Sequence, residues 1–432
     1  MSFILSPLNG SLKITKQNHH IFKSLLTSSL INLNKYNKNY LNYSTKSHKE
    51  PEKTALHNFH VEKNGKIVDF AGYLLPVQYN DMSISASHLH TRKSASIFDV
   101  SHMLQTYMNG KDVVECFEFI CTADIKGLPH NTGTLTVFTN ENGKILDDLI
   151  VTKIRDDLLY IVSNAAMKQQ DMKIMEDAVR HFRARGKDVF IEFLTPSEQS
   201  LIALQGPKAA EGLQKFTKVD LKKLYFMNTT MCELFGVRDC RITRCGYTGE
   251  DGFEISIPSE NVKDIVENIL NYNNGDTIKL AGLGARDSLR LEAGLCLYGS
   301  DIDNTITPVE AGLTWLVAPR RRNEPNFPGG TKIVEQIKNG VEKQRVGIKM
   351  SSGPPARHGA IICNENGQEI GHITSGCPSP SLGGNVAMGY IEKEYKKIGT
   401  KIQLNIRNKL YTTEIAKMPF IKTNYYMKPK DV

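Results

Sequence analysis

The sequence lacks long hydrophobic runs. None of its apolar stretches reaches the roughly 18 uninterrupted residues that a helix needs to cross a bilayer. It also has no compositional extreme, since 40% of its 432 residues are apolar, 23% are charged, and Gly and Pro number 33 and 17. We therefore exclude a membrane-spanning helix and the collagen-like, disordered and coiled-coil classes of protein. The length indicates two or three globular domains.

The cysteine patterns of metal sites and disulfide frameworks are missing as well. The eight cysteines contain no CxxC pair and are spread over the chain: Cys116, Cys121, Cys232, Cys240, Cys245, Cys296, Cys363 and Cys377. This spacing is typical of reduced, partly buried thiols in an intracellular compartment.

Three common catalytic signatures are also absent, namely GxxxxGK[ST], HExxH and GxSxG. Phosphate-loop, zinc-protease and hydrolase-elbow interpretations therefore lose their support. The histidines predict no metal site, because His57 and His60, or His88, His90 and His102, have no carboxylate or thiolate cluster at ligand spacing. We expect surface or hydrogen-bonded histidines.

Acidic residues are absent from the first 49 positions. This segment contains seven lysines, so the net charge of +8 falls to +1 without it, and the rest of the chain gives no reason to expect a nucleic-acid partner. A basic, hydroxyl-rich, acid-free N-terminus is typical of a mitochondrial transit peptide, although here lysine replaces the usual arginine. The alternative is a disordered tail. A secretory signal fits less well, because Lys and Asn interrupt the apolar stretches.

From residue 54 onward, short strands alternate with helices. The segments 133–139 and 145–154 flank a polar NENGK turn and predict a hairpin. The apolar periodicity over 169–185 predicts a helix that ends at Gly186. Paired strands with helices between them indicate an α+β region.

The pattern changes after the segment 320–332, which is charged and then rich in Pro and Gly and which we interpret as a linker. Its Arg320–Arg322 run fits a solvated linker, with a docking patch as the alternative. Six closely spaced short strands follow with little helix, and they predict a small antiparallel barrel or sandwich.

An acidic pair, Asp147 and Asp148, interrupts the apolar strand ILDDLIV. Because side chains alternate along a strand, the two carboxylates must point to opposite faces. A half-buried carboxylate costs free energy unless it is paired or used, which favours a functional group. A charge that protects an edge strand from aggregation is the alternative, and the residues alone leave both open.

Two further stretches could bind a ligand. In RITRCGYTGEDGFEISIP, three glycines allow a close backbone approach, and the carboxylate of Glu254 could accept two parallel hydrogen bonds from an amino-amide edge such as that of a pterin. In LAGLGARDSLRLEAGL, Arg286 and Arg290 share a helix face, and Arg286 could bind a carboxylate. The alternatives are a plain hairpin turn and a solvated surface helix.

Nine stretches in chain order carry a family resemblance: FAGYLLPVQY, SIFDVSHMLQ, TNENGKILDDLIV, ALQGP, RCGYTGEDGFEIS, GLGARDSLRLEAGLCLYG, TPVEAGLTW, TSGCPSPSLGGNVAMGYI and KMPFIKTNYY. Together, from residue 54 to residue 428, they resemble the T-proteins of the glycine cleavage system, which are aminomethyltransferases, in their mitochondrial form. One departure is Tyr73, where the family more often has Trp. This change alters a packing aromatic and leaves the resemblance intact.

The resemblance implies a three-lobed, clover-leaf α+β fold. Its expected divisions are a transit peptide over 1–49, two interleaved folate-binding lobes over 50–322, a linker over 323–340 and a C-terminal antiparallel β-barrel over 341–432. The implied reaction moves the aminomethyl group of lipoyl H-protein to tetrahydrofolate, giving 5,10-methylenetetrahydrofolate, ammonia and reduced lipoyl H-protein. H-protein is the implied partner, with P-protein and L-protein as functional partners in the mitochondrial matrix. Nucleic acid, membrane and metal are not implied.

Site residues follow from the same resemblance. Asp148 matches the catalytic acid of the family, which orients folate and makes its N5 more nucleophilic. Glu254 matches a carboxylate that binds the pterin, and Arg286 and Tyr425 match two further folate contacts. Asn164, at the end of the strand YIVSN, could serve a pterin edge with its amide.

Two related classes of protein remain as alternatives. One is a non-enzymatic folate-binding paralogue of the iron–sulfur assembly type, which resembles KGCYxGQE where this chain has RCGYTGEDG and does not keep ILDDL. The other is the folate-binding half of a dimethylglycine or sarcosine dehydrogenase, which would need a flavin domain with GxGxxG. The motif RCGYTGEDG and the presence of ILDDL both favour the transferase over the paralogue.

Overall fold

The computed structural model of the protein describes residues 50–429. The expected transit peptide, 1–49, lies outside the described residues. The described residues from Pro51 onward belong to one compact unit.

The strands of the described chain are numbered in chain order. Their bounds are β1 Glu52–Lys53, β2 Gly65–Phe70, β3 Tyr73–Tyr79, β4 Ala95–Asp99, β5 Leu104–Asn109, β6 Thr132–Thr139, β7 Ile145–Arg155, β8 Leu158–Ser163, β9 Phe190–Leu194, β10 Gln199–Gln205, β11 Thr229–Leu234, β12 Val237–Thr243, β13 Gly252–Pro258, β14 Ile278–Leu280, β15 Lys343–Met350, β16 Ile361–Cys363, β17 Glu369–Ser379, β18 Gly384–Glu392, β19 Lys401–Ile406 and β20 Lys409–Ala416.

The α-helices are numbered in the same way. Their bounds are α1 His57–Glu62, α2 Ile84–Lys93, α3 Val113–Glu118, α4 Lys168–Arg183, α5 Ala209–Gln214, α6 Val262–Leu270, α7 Leu283–Glu292, α8 Pro319–Asn323 and α9 Gly330–Asn339. No described helix has the length and apolar character needed to cross a membrane.

The strands form three open sheets and a closed barrel. A small sheet has the order β1-β3-β2, a five-stranded sheet β6-β7-β8-β5-β9, and a six-stranded sheet β11-β12-β13-β10-β4-β14. The barrel closes in the order β15-β18-β17-β16-β19-β20. The predicted hairpin is confirmed as the antiparallel pair β6 and β7, and the six C-terminal strands form the predicted barrel.

The five-stranded and six-stranded sheets pack face to face and carry their helices on the outer sides. Side chains from β4, β8 and β10, among them Phe98, Tyr160 and Leu201, form one apolar cluster between the sheets. On the outer sides, α3 and α4 cover the five-stranded sheet, and α5 and α6 cover the six-stranded sheet. This layering confirms the α+β class and creates an inner space with walls on two sheets.

Helix α7 connects these sheets to the barrel through fully buried polar groups. Arg290 donates to Asp301 at 2.6 Å and to Ser375 of β17 at 2.9 Å. Two residues further along the helix, Glu292 accepts from Ser379 at 2.5 Å and contacts His88 of α2 at 3.0 Å. Because every group in this junction has a partner, the polar contacts fix the position of α7.

The prediction that the segment 320–332 is a solvated linker is wrong for its arginines, Arg320–Arg322. Helices α8 and α9 occupy most of the segment, with Pro319 at the start of α8, and Arg321 is 0% exposed. Arg321 donates to the carbonyl of Cys121 at 3.2 Å, and Arg320 donates to Asp124 at 2.8 Å. Arg320 and Arg321 thus satisfy groups that lie about 200 positions earlier in the chain, which local composition does not reveal. Arg322 donates instead to the nearby carbonyls of Thr314 and Val317.

Candidate active site

A cavity lies between the two facing sheets. Its walls are Ile150, Thr152, Tyr160 and Val162 from the five-stranded sheet and Leu201, Arg241, Thr243, Cys245, Glu254 and Ser256 from the other side. Apolar side chains with a few polar ones form the kind of lining that small-molecule sites use, and the space that they enclose here is small, about 10 Å³. The predicted site residues can be located relative to this cavity.

Asp147 and Asp148 occupy opposite faces of β7, as predicted. Asp147 is 0% exposed on the side that packs against α4, whereas Asp148 is half-buried on the side of the cavity residues Ile150 and Thr152. Asn164 lies directly beside both. Its side-chain amide donates to the backbone carbonyl of Asp148 at 2.9 Å and to the Asp148 carboxylate at 3.0 Å.

The surroundings of Asp148 favour its protonated form. Burial and the nearby charge of Asp147 raise the pKa of Asp148 to about 7, against the opposing hydrogen bond from Asn164. A carboxyl group with a pKa near neutrality can both take and return a proton at physiological pH, as a general acid–base group must.

Glu254 and Arg286 are brought together from two separate elements. Glu254 lies on β13 opposite Thr243 of β12, and Arg286 lies in the second turn of α7. Burial raises the pKa of Glu254, and the charge of Arg286 opposes that shift. Nη1 of Arg286 is buried and has no hydrogen-bond partner among the described residues. A buried donor without a partner is costly, so the pair is suited to a bound polar ligand.

Tyr425 lies on the C-terminal segment that returns from the barrel to the glycine-rich loop. Its ring stacks on Phe226 at 4.3 Å between ring centres, and its charged neighbours are Arg92 and Glu250. The preceding Asn424 donates to Gly249 at 2.8 Å and to Glu250 at 2.9 Å. These contacts attach Tyr425 to the loop, but among the described contacts none joins it directly to Asp148 or Glu254.

Three neighbours of the site were missed in the sequence. The ring of Tyr247 lies 4.9 Å from the Arg286 guanidinium, and its hydroxyl donates to the carbonyl of Cys296, near the charge of Asp148. Arg241 is a buried cation of the cavity wall that donates to the Tyr107 hydroxyl at 3.2 Å. Tyr247 and Arg241 both stand in RITRCGYTGEDG, so the motif contained the signal, but only its glycines and Glu254 were interpreted.

The third missed neighbour, Gln205, shapes the glycine-rich loop. Its amide donates to the carbonyl of Cys245 at 2.9 Å and accepts from the Thr248 hydroxyl at 2.8 Å. A Cβ atom at Gly246 would lie 2.0 Å from that amide, so any larger residue would displace the hydrogen-bonded Gln205 side chain.

Within residues 50–429, no three His, Cys, Asp or Glu side chains are grouped so that they could hold a metal ion. Two of the considered histidines are buried and hydrogen-bonded instead, His60 to Asp99 at 2.9 Å and His88 to Glu292 at 3.0 Å. All eight cysteines are free thiols, and each is buried or partly buried.

Comparison with known proteins gives matches over most of the chain. Residues 56–321 match the family model of the GCVT N-terminal domain, and residues 343–422 match that of the glycine cleavage T-protein C-terminal barrel domain. The chain is 51% identical to the mitochondrial aminomethyltransferase of Homo sapiens over 374 residues, which are 87% of this chain and 91% of that protein. It is 49% identical to the mitochondrial aminomethyltransferase of Pisum sativum over 377 residues, with shares of 87% and 91%.

A solved structure is also similar. The crystal structure of glycine cleavage system aminomethyltransferase T from Bartonella henselae has a TM-score of 0.80 and 35% sequence identity, and it covers 87% of this chain and 99% of the solved one.

Proposed function

Because the chain belongs to the glycine cleavage T-protein family and is an aminomethyltransferase of the glycine cleavage system, we propose that tetrahydrofolate is its acceptor and that Asp148 is its catalytic acid–base group. The observation that carries the proposal is the position of Asp148 on the cavity side of β7, with a pKa raised to about 7 by burial and by the charge of Asp147.

The proposed reaction requires two bonds to break and two to form at one carbon. The C–S bond to the lipoyl arm and the C–N bond to the amino group break, and bonds to N5 and N10 of tetrahydrofolate form. The hydrogens lost from N5 and N10 end on the lipoyl sulfur and on ammonia, so the reaction needs no oxidant or reductant. The chain must therefore hold the acceptor in line with the carbon and move protons.

The cavity residues suit a folate. Glu254 offers two carboxylate oxygens, which match the neighbouring N–H donors of a pterin amino-amide edge. Arg286 has an unpartnered buried donor beside it. We propose that these two residues bind the pterin, that Asn164 orients Asp148, and that Tyr425 adds a further folate contact. We propose no metal requirement.

Asp148 performs the proton transfer in this proposal. Its carboxylate, oriented by the Asn164 amide at 3.0 Å, accepts a proton near N5 or N10 and returns it to a leaving group. Since its pKa lies near 7, both transfers are accessible at neutral pH.

The aminomethyl donor is proposed to be lipoyl H-protein, with P-protein and L-protein acting at other steps of the same system. The relatives named above are mitochondrial proteins, and the acid-free segment 1–49 supports import into the matrix. A chain of residues 50–432 should therefore turn over like the full protein, and a folded but inactive product would contradict the proposed role of the leader.

An assay with aminomethylated H-protein and tetrahydrofolate tests the proposal directly. We expect ammonia and 5,10-methylenetetrahydrofolate in equal amounts, each dependent on both substrates. A flavin absorbance scan of the same sample distinguishes the dehydrogenase alternative. Folate binding without turnover would instead favour the non-enzymatic paralogue.

A further inference from the structure

A third carboxyl group lies beneath the proposed catalytic one. Asp171 is on α4 and, like Asp147, is 0% exposed. The helix turns Asp171 toward the sheet on the same side as Met175 and Phe182, which belong to the core between α4 and β7. The neighbours that act on the Asp171 carboxyl are Asp147, Asp148 and the Ser163 hydroxyl.

The hydrogen bonds of the two buried carboxyl groups differ. Both oxygens of Asp147 accept from Asn164, one from its backbone N–H at 3.2 Å and one from its side-chain amide at 2.9 Å. Neither oxygen of Asp171 accepts a hydrogen bond from an N–H donor among the described residues, and the hydroxyl that acts on its carboxyl is that of Ser163. Donors stabilise an ionised carboxylate, whereas a buried carboxyl that lacks donors favours the protonated form.

We propose that Asp147 and Asp171 share one proton, and that the single negative charge held by this pair sets the pH at which Asp148 ionises. Two adjacent carboxylates in the protein interior cannot both remain ionised, because their charges repel each other and neither is hydrated. In a fully neutral pair, the two hydrogen bonds from Asn164 would not stabilise an ionised carboxylate. One proton for two carboxyl groups satisfies both conditions.

Asn164 connects the pair to the active site. Its side-chain nitrogen, which donates to Asp147, also donates to the Asp148 carboxylate at 3.0 Å. The charge of Asp147 acts directly on Asp148 and raises its pKa. The other titratable groups that face Asp148 are Tyr247, Cys296 and Tyr298. Burial raises the pKa of all three, so they stay neutral while Asp148 titrates.

This arrangement makes Asp147 and Asp171 positioning residues, since neither faces the cavity. The proposal rests on the proposed function only where it concerns catalysis. The ionisation of Asp148 itself can be measured without turnover, by carbon NMR of protein labelled at the aspartate carboxyls, with Asp148→Asn identifying the resonance.

Asparagine variants separate the possible charge states. Asp171→Asn replaces the protonated member by a neutral isostere and leaves the charge on Asp147, so the pKa of Asp148 should stay within about half a unit of wild type. Asp147→Asn removes the charged member and leaves Asp171, which lacks N–H donors and keeps its proton, so the pKa of Asp148 should fall. The double variant removes the charge, and the pKa of Asp148 should fall by about one to two units.

Three outcomes would overturn the proposal. A fall already in Asp171→Asn would mean that both groups are ionised, and no fall in the double variant would mean that the pair is neutral. If the double variant does not fold, Asp171→Asn still decides. A shared proton predicts that the isotope-edited infrared band of the protonated core carboxyl, measured above pH 8, is lost in this variant, whereas a neutral pair predicts that the band persists. An NMR shift without a matching shift in the kcat–pH profile would disprove the role of Asp148 and leave the shared proton standing.

Discussion

Two arginines one turn apart on α7 have opposite surroundings. All three guanidinium nitrogens of Arg290 donate, to Asp287, Leu295, Asp301 and Ser375, at distances of 2.6 to 3.0 Å. Arg286 lies against the ring of Tyr247 and leaves Nη1 without a described partner. Helix α7 therefore contributes a fully hydrogen-bonded arginine to the barrel junction and an incompletely hydrogen-bonded arginine to the cavity.

The same contrast separates the two regions as wholes. At the barrel junction, Glu292 and Asp301 are buried and fully hydrogen-bonded, and the hydrogen bonds from His88 and the serines help to hold the pKa of Glu292 at about 2. In the cavity, the pKa values of Asp148 and Glu254 are raised by burial. Buried polar groups that have all their hydrogen-bond partners stabilise the fold. Those that lack some partners remain available to bind a ligand.

The largest expected effect is on catalysis in Asp148→Asn. The amide is nearly isosteric and can still orient a ligand, but it cannot accept a proton, so kcat should fall by about two to four orders of magnitude while folate binding largely survives. Steady-state kinetics with folate titrated separately is the measurement. Asp147→Asn, on the opposite face, is the matched control. Near wild-type kcat in Asp148→Asn, or a larger loss in Asp147→Asn, would place the catalytic group elsewhere.

A comparison of Arg290→Met with Arg286→Met tests whether the polar groups of the barrel junction stabilise the fold more than those of the cavity. Loss of Arg290 leaves Asp301 buried without its cation, so the free energy of unfolding should fall by about 3–5 kcal/mol. Loss of Arg286 removes an incompletely paired cation, and its neighbour Glu254 can take up a proton instead, so the free energy of unfolding should fall by less than in Arg290→Met.

Chemical denaturation gives both values, and folate titration of Arg286→Met should show weaker binding. Equal destabilisation by the two variants would mean that Arg286 is also a structural residue, and the contrast between the regions would disappear.

Much of this organisation follows from local sequence. The alternation of a strand places Asp147 and Asp148 on opposite faces, and the density of strands after residue 341 predicts the barrel; the structure confirms both. The folate contacts at Glu254 and Tyr425 remain predictions, since their basis is resemblance rather than periodicity.

What sequence does not give is pairing between distant elements. Arg320 was expected in solvent because its neighbours are polar, yet its partners Glu118 and Asp124 lie at the end of α3 and just after it, about 200 positions earlier in the chain. Asp171 was passed over because it interrupts the apolar face of a helix, where one polar residue is easily assigned to the surface. Both errors concern charged groups whose partners depend on the tertiary fold.

Glu254→Gln should have an intermediate effect. The change keeps the size of the side chain but turns one acceptor oxygen into a donor, which opposes a pterin N–H. Loss of a charge-assisted hydrogen-bonded pair typically costs about 1.5–3 kcal/mol, or roughly ten- to a hundredfold in affinity. Equilibrium folate binding is the measurement, with Glu250→Gln of the same loop as a control for the Arg92 junction. Unchanged folate affinity would mean that the charge of Glu254 has only a structural role.

The smallest expected effect is the pH response of the wild type near neutrality. With a pKa of about 7, about half of the Asp148 groups are ionised at neutral pH. If the carboxylate is the active form, kcat should gain no more than about twofold above this pH and fall about tenfold per pH unit well below it. A kcat–pH profile at saturating substrates measures this, and a flat profile through this range would mean that Asp148 does not ionise in the catalytic cycle.

The raised pKa of Asp148 also fixes the sign of its effect on stability. In the unfolded chain Asp148 ionises near its ordinary value of 3.8, whereas in the folded protein it does so at about 7. Between these values the folded state binds more protons, so the contribution of Asp148 to stability is present at low pH and is lost as the pH rises. Asn cannot ionise, so the Tm of Asp148→Asn should gain on the wild type from about pH 4 to about pH 7 and then run parallel to it. Parallel Tm–pH curves over the whole range would show that the pKa of Asp148 is ordinary. The contacts of this carboxyl would then offset its burial as fully as the contacts at the barrel junction do.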